Sequence, residues 1–276
     1  MHTIPMFKRA AIFICIVAIS CTQKLQTLPA DPIPAHDSIT LHSKIMNEDR
    51  QINIWLPPQY HSSRDSFAVL YMLDGGLQED FPHIAHTISL LIESGKINPI
   101  ILVGIQNTQR RRDLTGPTQV EADKKIAAVV GGSALFRKFI ETELFNEIQK
   151  YYRTSPQRAI IGESLAGLFV METFLLQPQL FHQYIAFDPS LWWNNQNTLQ
   201  QLCNNLSRPL PHPISLWFAA SGTKDIFQTT NRLNDALQLS KPSMLKWKYT
   251  WAPKEKHSTI FRATKAEALL FCFKKQ

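Results

Sequence analysis

The sequence predicts an α/β domain built on a mostly parallel central sheet with helices on both faces. Three observations carry this reading: short, mostly apolar runs recurring along the chain, helical stripes between them, and one strand–Gly-x-Ser-x-Ala–helix transition. Apolar runs of strand length are what strands buried on both faces of a parallel sheet look like. Strands that alternate with helices place such a sheet between helical layers.

Residues 1–38 precede this pattern. Lys8 and Arg9 stand before an unbroken apolar and small run, Ala10–Ser20. As a helix that run rises about 16 Å, short of the roughly 30 Å of a hydrocarbon core, so residues 1–20 read as a secretory signal peptide. Ala18-Ile19-Ser20-Cys21 resembles the bacterial lipobox, with Ala18 where leucine is usual, and makes Cys21 the expected lipidation site. Residues 21–38 hold three prolines without an apolar period and read as a tether. The expectation is an exported protein, lipid-anchored to a bacterial membrane on its periplasmic or cell-surface side, with its domain at 39–276.

The domain opens with Ile39–Ile45 and Gln51–Leu56, where apolar and polar residues alternate as in half-buried strands, joined by turn residues Asn47-Glu48-Asp49. Phe67–Leu73, Ile100–Ile105, Arg158–Ile161, Tyr184–Phe187, Ser215–Ala220 and Leu245–Trp251 follow as buried strands. Leu135, Phe136, Phe139, Ile140, Leu144, Ile148 and Tyr151 form a helical stripe. Similar stripes run through Leu165–Leu176, Leu199–Leu206, Leu233–Leu239 and Ala263–Phe273.

Composition bounds the function. An apolar fraction of 44% excludes wholesale disorder and collagen-like repeats. The formal charge of +7 falls to +5 without residues 1–20, and it is spread thinly rather than gathered on a basic face, so no nucleic-acid partner is expected. Four cysteines are too few for a disulfide scaffold. Beyond Cys21 the mature chain keeps only Cys203 and Cys272, which are as consistent with two free thiols as with one bond.

The chemistry centres on Gly162-Glu163-Ser164-Leu165-Ala166-Gly167. A serine flanked two residues away on each side by Gly or Ala, between strand and helix, is a nucleophile elbow, because larger flanking side chains would strike the neighbouring backbone. The serine needs a histidine to take its proton and an acid to orient the imidazole. Of the histidines after Ser164, His182 and His212 sit in connections, whereas His257 follows the last expected strand, where the base belongs. Asp225, after Ser215–Ala220, is the expected acid. Asp188, after Tyr184–Phe187, is the alternative, as is a dyad with no acid. The oxyanion needs two backbone N–H donors: Leu165 supplies one, and Gly76, with Gly75 next, is expected to supply the other.

The stretches VLYMLDGG (69–76), IQNTQRRRDLTGP (105–117), FRKFIETELFNEIQKYYRTSPQRAIIGESLAGLF (136–169), FDPSLWW (187–193), SGTKD (221–225) and KHS (256–258) resemble the esterase D-like α/β-hydrolases. Within that family the ferric-siderophore esterase-like branch is the most similar. The resemblance implies an α/β-hydrolase fold, no metal or organic cofactor, and Ser164, His257 and Asp225 as the triad with Gly76 and Leu165 as oxyanion donors. The chain departs from the family at Glu163 (often His), Ala166 (often Gly) and Asp188 (often Ser), which keeps Asp188 open as the acid. The implied activity is a serine carboxylic-ester hydrolase working through an acyl-enzyme on a small-molecule ester of siderophore, feruloyl or acetyl type. Acyl transfer on the same triad is an alternative, and a non-catalytic binding lipoprotein another. Arg110-Arg111-Arg112-Asp113 reads either as a cationic lip for an anionic substrate, with Arg110 and Arg112 in contact, or as a loop with Arg112 paired to a carboxylate. Trp192 and Trp193 read either as an aromatic cleft floor or as packing.

Overall fold

The computed structural model describes residues 31–275. The expected signal peptide and Cys21 lie outside the described residues. Eight strands form one sheet: β1 (Asp37–Ser43), β2 (Glu48–Trp55), β3 (Phe67–Met72), β4 (Ile100–Ile105), β5 (Thr154–Glu163), β6 (Gln183–Phe187), β7 (Ile214–Ser221) and β8 (Leu245–Ala252). Their spatial order is β1-β2-β4-β3-β5-β6-β7-β8. β1 and β2 form an antiparallel hairpin, β2 runs antiparallel to β4, and every later pairing is parallel. This is the α/β-hydrolase arrangement the sequence led us to expect.

The helices are α1 (Gln59–Ser62), α2 (Phe81–Glu93), α3 (Arg110–Leu114), α4 (Glu121–Ile126), α5 (Ser133–Phe139), α6 (Phe145–Tyr151), α7 (Leu165–Leu176), α8 (Trp193–Asn205), α9 (Lys224–Ser240) and α10 (Ile260–Phe273). Alternation along each central strand sorts side chains to two cores. Val69, Tyr71, Ile101, Val103, Tyr184, Leu216 and Phe218 meet α5 to α9. Leu70, Met72, Leu102, Ile185, Phe187 and Trp217 meet α2 and α10. Because both faces are covered, these strands carry apolar residues at successive positions rather than at every second one.

Two elements differ from the sequence expectation. α2 was not anticipated, although parallel neighbours such as β3 and β4 require a crossover between them. The stripe expected as one helix from Leu135 to Tyr151 is broken by a π-helical turn, Ile140–Leu144. That turn brings Glu143 to the β1–β2 connection, where it accepts hydrogen bonds from Ser43 Oγ (2.5 Å) and Lys44 N (3.0 Å). The stripe's end residues, Leu135 and Tyr151, are exposed. Within the segment expected as tether, Asp31 pairs with Arg262 on α10 at 2.6 Å, and His36 lies edge-on to Phe81 on α2. Cys203 and Cys272 are free thiols.

Candidate active site

Ser164 stands between β5 and α7 with φ 61° and ψ −119°, a strained backbone for a residue with a side chain. The flanking positions show what permits it. A Cβ on Gly162 would lie 2.7 Å from the backbone of Ala166, and one on Gly167 would lie 3.0 Å from Phe187 O and from Pro189. The elbow is also tied to the turn after β6, since Ser164 N–H donates to Phe187 O (3.0 Å) and Ser190 N–H donates to Ser164 O (3.1 Å).

That turn carries Asp188, a carboxylate within reach of His257. His257, in the loop between β8 and α10, places Nε2 3.1 Å from Ser164 Oγ and Nδ1 2.9 Å from Asp188 Oδ2. Asp188 is fully buried, and its other oxygen accepts from Ser221 N–H at 2.6 Å. The hydrogen bond to Asp188 is the main cause that raises the imidazole above its ordinary pKa, against the opposing effect of its partial burial. Asp225, the acid expected from sequence, lies instead in the exposed first turn of α9 and makes no ion pair with His257. Asp188, one strand nearer Ser164, occupies the position expected for it.

The two expected oxyanion donors differ in availability. Leu165 N–H opens α7, where no intrahelical acceptor exists for it. Gly76 N–H donates to Glu79 Oε2 at 2.7 Å, and Gly75 N–H donates to Ile105 O at 3.0 Å. Gly75 is dictated by packing: a Cβ there would lie 2.4 Å from the Gly104 backbone on β4. Ser190, which the sequence did not single out, brings its Oγ to 3.4 Å from Ser164 Oγ.

The arginines divide. Arg110 forks onto Asp74 (2.6 and 2.7 Å) and reaches Glu163 O at 3.4 Å, next to Ser164 in the chain. Arg112 forks onto Glu48 and bonds Asp113 at 2.6 Å, and Asp113 in turn holds the buried Arg50. Asn107 bridges Asp74 (2.5 Å) and Glu79 (2.7 Å). The Asn-x-x-Arg-x-x-Asp motif therefore fastens the loops after β3 and β4 to each other and to the elbow. Trp193 is buried and directs its indole N–H to Gly116 O, whereas Trp192 is half-buried against the core.

Glu163, where relatives often carry His, is the least satisfied side chain beside Ser164. One of its carboxyl oxygens is buried without a partner among the described residues. Desolvation, opposed by the nearby His257 and reinforced by Asp80, Asp188 and Asp74, pushes its pKa up to about 8. No cluster of three metal-ligating side chains occurs among the described residues. A serine, an imidazole and a buried carboxylate in this order are the parts of covalent acyl-transfer chemistry.

Comparison with known proteins agrees with the fold. Residues 43–267 match the family profile "Putative esterase". The ferri-bacillibactin esterase of Bacillus subtilis is 29% identical over 208 residues, covering 68% of this chain and 71% of that protein. An IroE-like serine hydrolase from Shewanella oneidensis superimposes with a TM-score of 0.80 at 26% identity, over 87% of this chain and 80% of the other. The BES protein from Bacillus cereus shares the fold with a TM-score of 0.77 at 22% identity, over 92% and 98% of the two chains.

Proposed function

Because the chain belongs to the esterase family and is an ester-bond hydrolase, we propose that it works through an acyl-enzyme on Ser164, with His257 as base and Asp188 as the orienting acid. The observation that carries this is the position of His257, hydrogen-bonded to Ser164 through one ring nitrogen and to Asp188 through the other. Ser164 Oγ passes its proton to His257 Nε2 as it attacks the ester carbonyl. The oxyanion accepts a hydrogen bond from Leu165 N–H, and His257 returns the proton to the departing alcohol. A water then gives a proton to His257 and attacks the acyl carbonyl, releasing the acid and regenerating Ser164.

Buried Asp188 fixes the tautomer in which Nδ1 carries the hydrogen, leaving the Nε2 lone pair toward Ser164. The similarity to a ferri-bacillibactin esterase supports siderophore-type esters as the substrate class. The run before Cys21 supports export and lipid anchoring at that residue; metabolic palmitate labelling that disappears in Cys21→Ala tests it. For the chemistry, p-nitrophenyl acetate hydrolysis should vanish in Ser164→Ala. Equal turnover by the variant would overturn the assignment of the nucleophile.

A further inference from the structure

The turn after β6 presents two side chains to the pair formed by Ser164 and His257. Asp188 reaches His257, and Ser190, further along the same turn, brings its Oγ to 3.4 Å from Ser164 Oγ. Ser190 is 2% exposed, and Ser164 Oγ is the one partner its hydroxyl has among the described residues. Its main chain is held on both sides. Ser190 N–H donates to Ser164 O at 3.1 Å, and Ser190 O accepts from Trp193 N–H at 3.0 Å. Asp188 and Leu191, on either side of it in the turn, are fully buried. A hydroxyl on so fixed a backbone, out of reach of bulk water, is pointed at Ser164 before any substrate arrives.

The proton inventory gives this contact a direction. With His257 Nδ1 facing the Asp188 carboxylate at 2.9 Å, the neutral imidazole carries its hydrogen there and offers the Nε2 lone pair. The single proton of Ser164 then goes to Nε2, so between the two hydroxyls Ser190 donates and Ser164 Oγ accepts. Cβ, the proton held by His257 and the lone pair facing Ser190 take three of the tetrahedral directions at Ser164 Oγ, and the last is left for an ester carbonyl. We propose that Ser190 is a further catalytic residue, whose hydroxyl donates to Ser164 Oγ and stabilises the negative charge that gathers there as the proton leaves for His257. At 3.4 Å the contact is long for two neutral hydroxyls. It shortens as Oγ becomes charged, because a hydrogen bond to an anion is shorter and roughly twice as strong. The gain therefore falls on the transition state rather than on bound substrate. The same donor serves the second half of the reaction, where Ser164 Oγ leaves the acyl carbon and takes its proton back from His257. The proposal rests on the reading of Ser164 as the nucleophile.

Ser190→Ala removes the donor and keeps both main-chain contacts. It should lower kcat for p-nitrophenyl acetate by about 10–100-fold, the size of one hydrogen bond to a charged group, with KM within about twofold. The rate at which a fluorophosphonate labels Ser164 should fall by a similar factor, although that reaction involves no deacylation. Ser190→Cys, whose thiol fills the space but donates weakly, should fall together with the alanine variant. Rates within about threefold of wild type in Ser190→Ala would overturn the proposal. So would recovery of the wild-type rates in Ser190→Cys, which would show that volume and not the O–H matters. Should the alanine variant not fold, the cysteine variant decides alone, a loss in kcat at unchanged KM supporting the proposal and wild-type rates overturning it. Ser164→Ala, run beside them, keeps the two readings apart. Turnover or labelling that survives in Ser164→Ala counts against the nucleophile, whereas a dead Ser164→Ala beside a fully active Ser190→Ala counts against Ser190 alone.

Discussion

His257 Nδ1 lies 2.9 Å from Asp188 Oδ2, so the imidazole beside Ser164 is oriented by the carboxylate at the end of β6 rather than by Asp225 after β7. The two aspartates follow neighbouring strands, β6 and β7, and neighbouring strands lie only about 4.8 Å apart. What separates them is burial. Asp188 is fully enclosed and receives Ser221 N–H, so its charge is stabilised where the imidazolium forms, whereas Asp225 faces water.

Asp188→Asn should lower kcat by roughly 10³–10⁴-fold, because an amide can donate to Nδ1 and so favour the wrong tautomer. Asp225→Asn should leave kcat within about a factor of two. Steady-state hydrolysis of p-nitrophenyl acetate by the two variants separates them. A large loss in Asp225→Asn with a small one in Asp188→Asn would contradict the geometry.

Glu163 predicts an alkaline limit to turnover. With its pKa pushed up to about 8 by burial, the carboxyl is mostly neutral at pH 7 and ionises as the pH rises past that value. Ionisation places a negative charge beside the elbow where the oxyanion develops, so kcat/KM should fall above about pH 8. Glu163→Gln keeps the shape without the ionisation and should abolish that limb. The acid limb should stay in place, because Glu163 is already mostly neutral over that range and glutamine changes no charge there. A pH–rate profile from 5 to 10 checks both effects. An unchanged alkaline limb in Glu163→Gln would assign it to another group.

Much of the fold was legible in the sequence because the central strands are buried on both faces and read as apolar runs. The elbow was legible for a steric reason, since Gly162 and Ala166 touch across the turn. The acid was not, because Asp188 and Asp225 both follow apolar strands, and spacing along the chain does not show which carboxylate the His257 loop meets. Pairing of the arginines was equally hidden. Arg112 joins Glu48, sixty-four positions away, and Arg110 joins Asp74. α2 was readable in principle: Phe81, Ile84, Ile88 and Leu91 recur at helical spacing, and a parallel β3–β4 pair demands a crossover.

Asp113 predicts a stability effect away from the chemistry. Its carboxylate and Arg50 are each 1% exposed and 2.6 Å apart, with the guanidinium also over the Phe136 ring. Asp113→Ala leaves buried Arg50 with Glu48 as its remaining carboxylate and should destabilise the protein by about 1.5–3 kcal/mol. Glu121→Ala, which breaks the exposed pair with Lys124, should cost no more than about 0.5 kcal/mol. Urea denaturation of both variants measures the contrast, and equal costs would show that burial of the Arg50 pair is not what matters.

Glu79 decides what Gly76 can do. Its side chain accepts Gly76 N–H while its own N–H donates to Gly76 O, a reciprocal arrangement like a capping box in the turn before α2. Asn107 holds the other carboxyl oxygen, which fixes the turn relative to β4. Held this way, Gly76 N–H already has an acceptor, and in the proposed mechanism Leu165 N–H is the free donor for the oxyanion. Glu79→Ala should therefore cost about 1 kcal/mol of stability, as the loss of a helix cap does. It should change kcat/KM for p-nitrophenyl acetate by less than about threefold. Fluorophosphonate labelling of Ser164 gives an independent rate that does not depend on deacylation. A rise of about tenfold or more in both rates would mean that Glu79 masks a working oxyanion donor, since a freed donor of that kind is worth about 10²–10³ in rate when fully positioned.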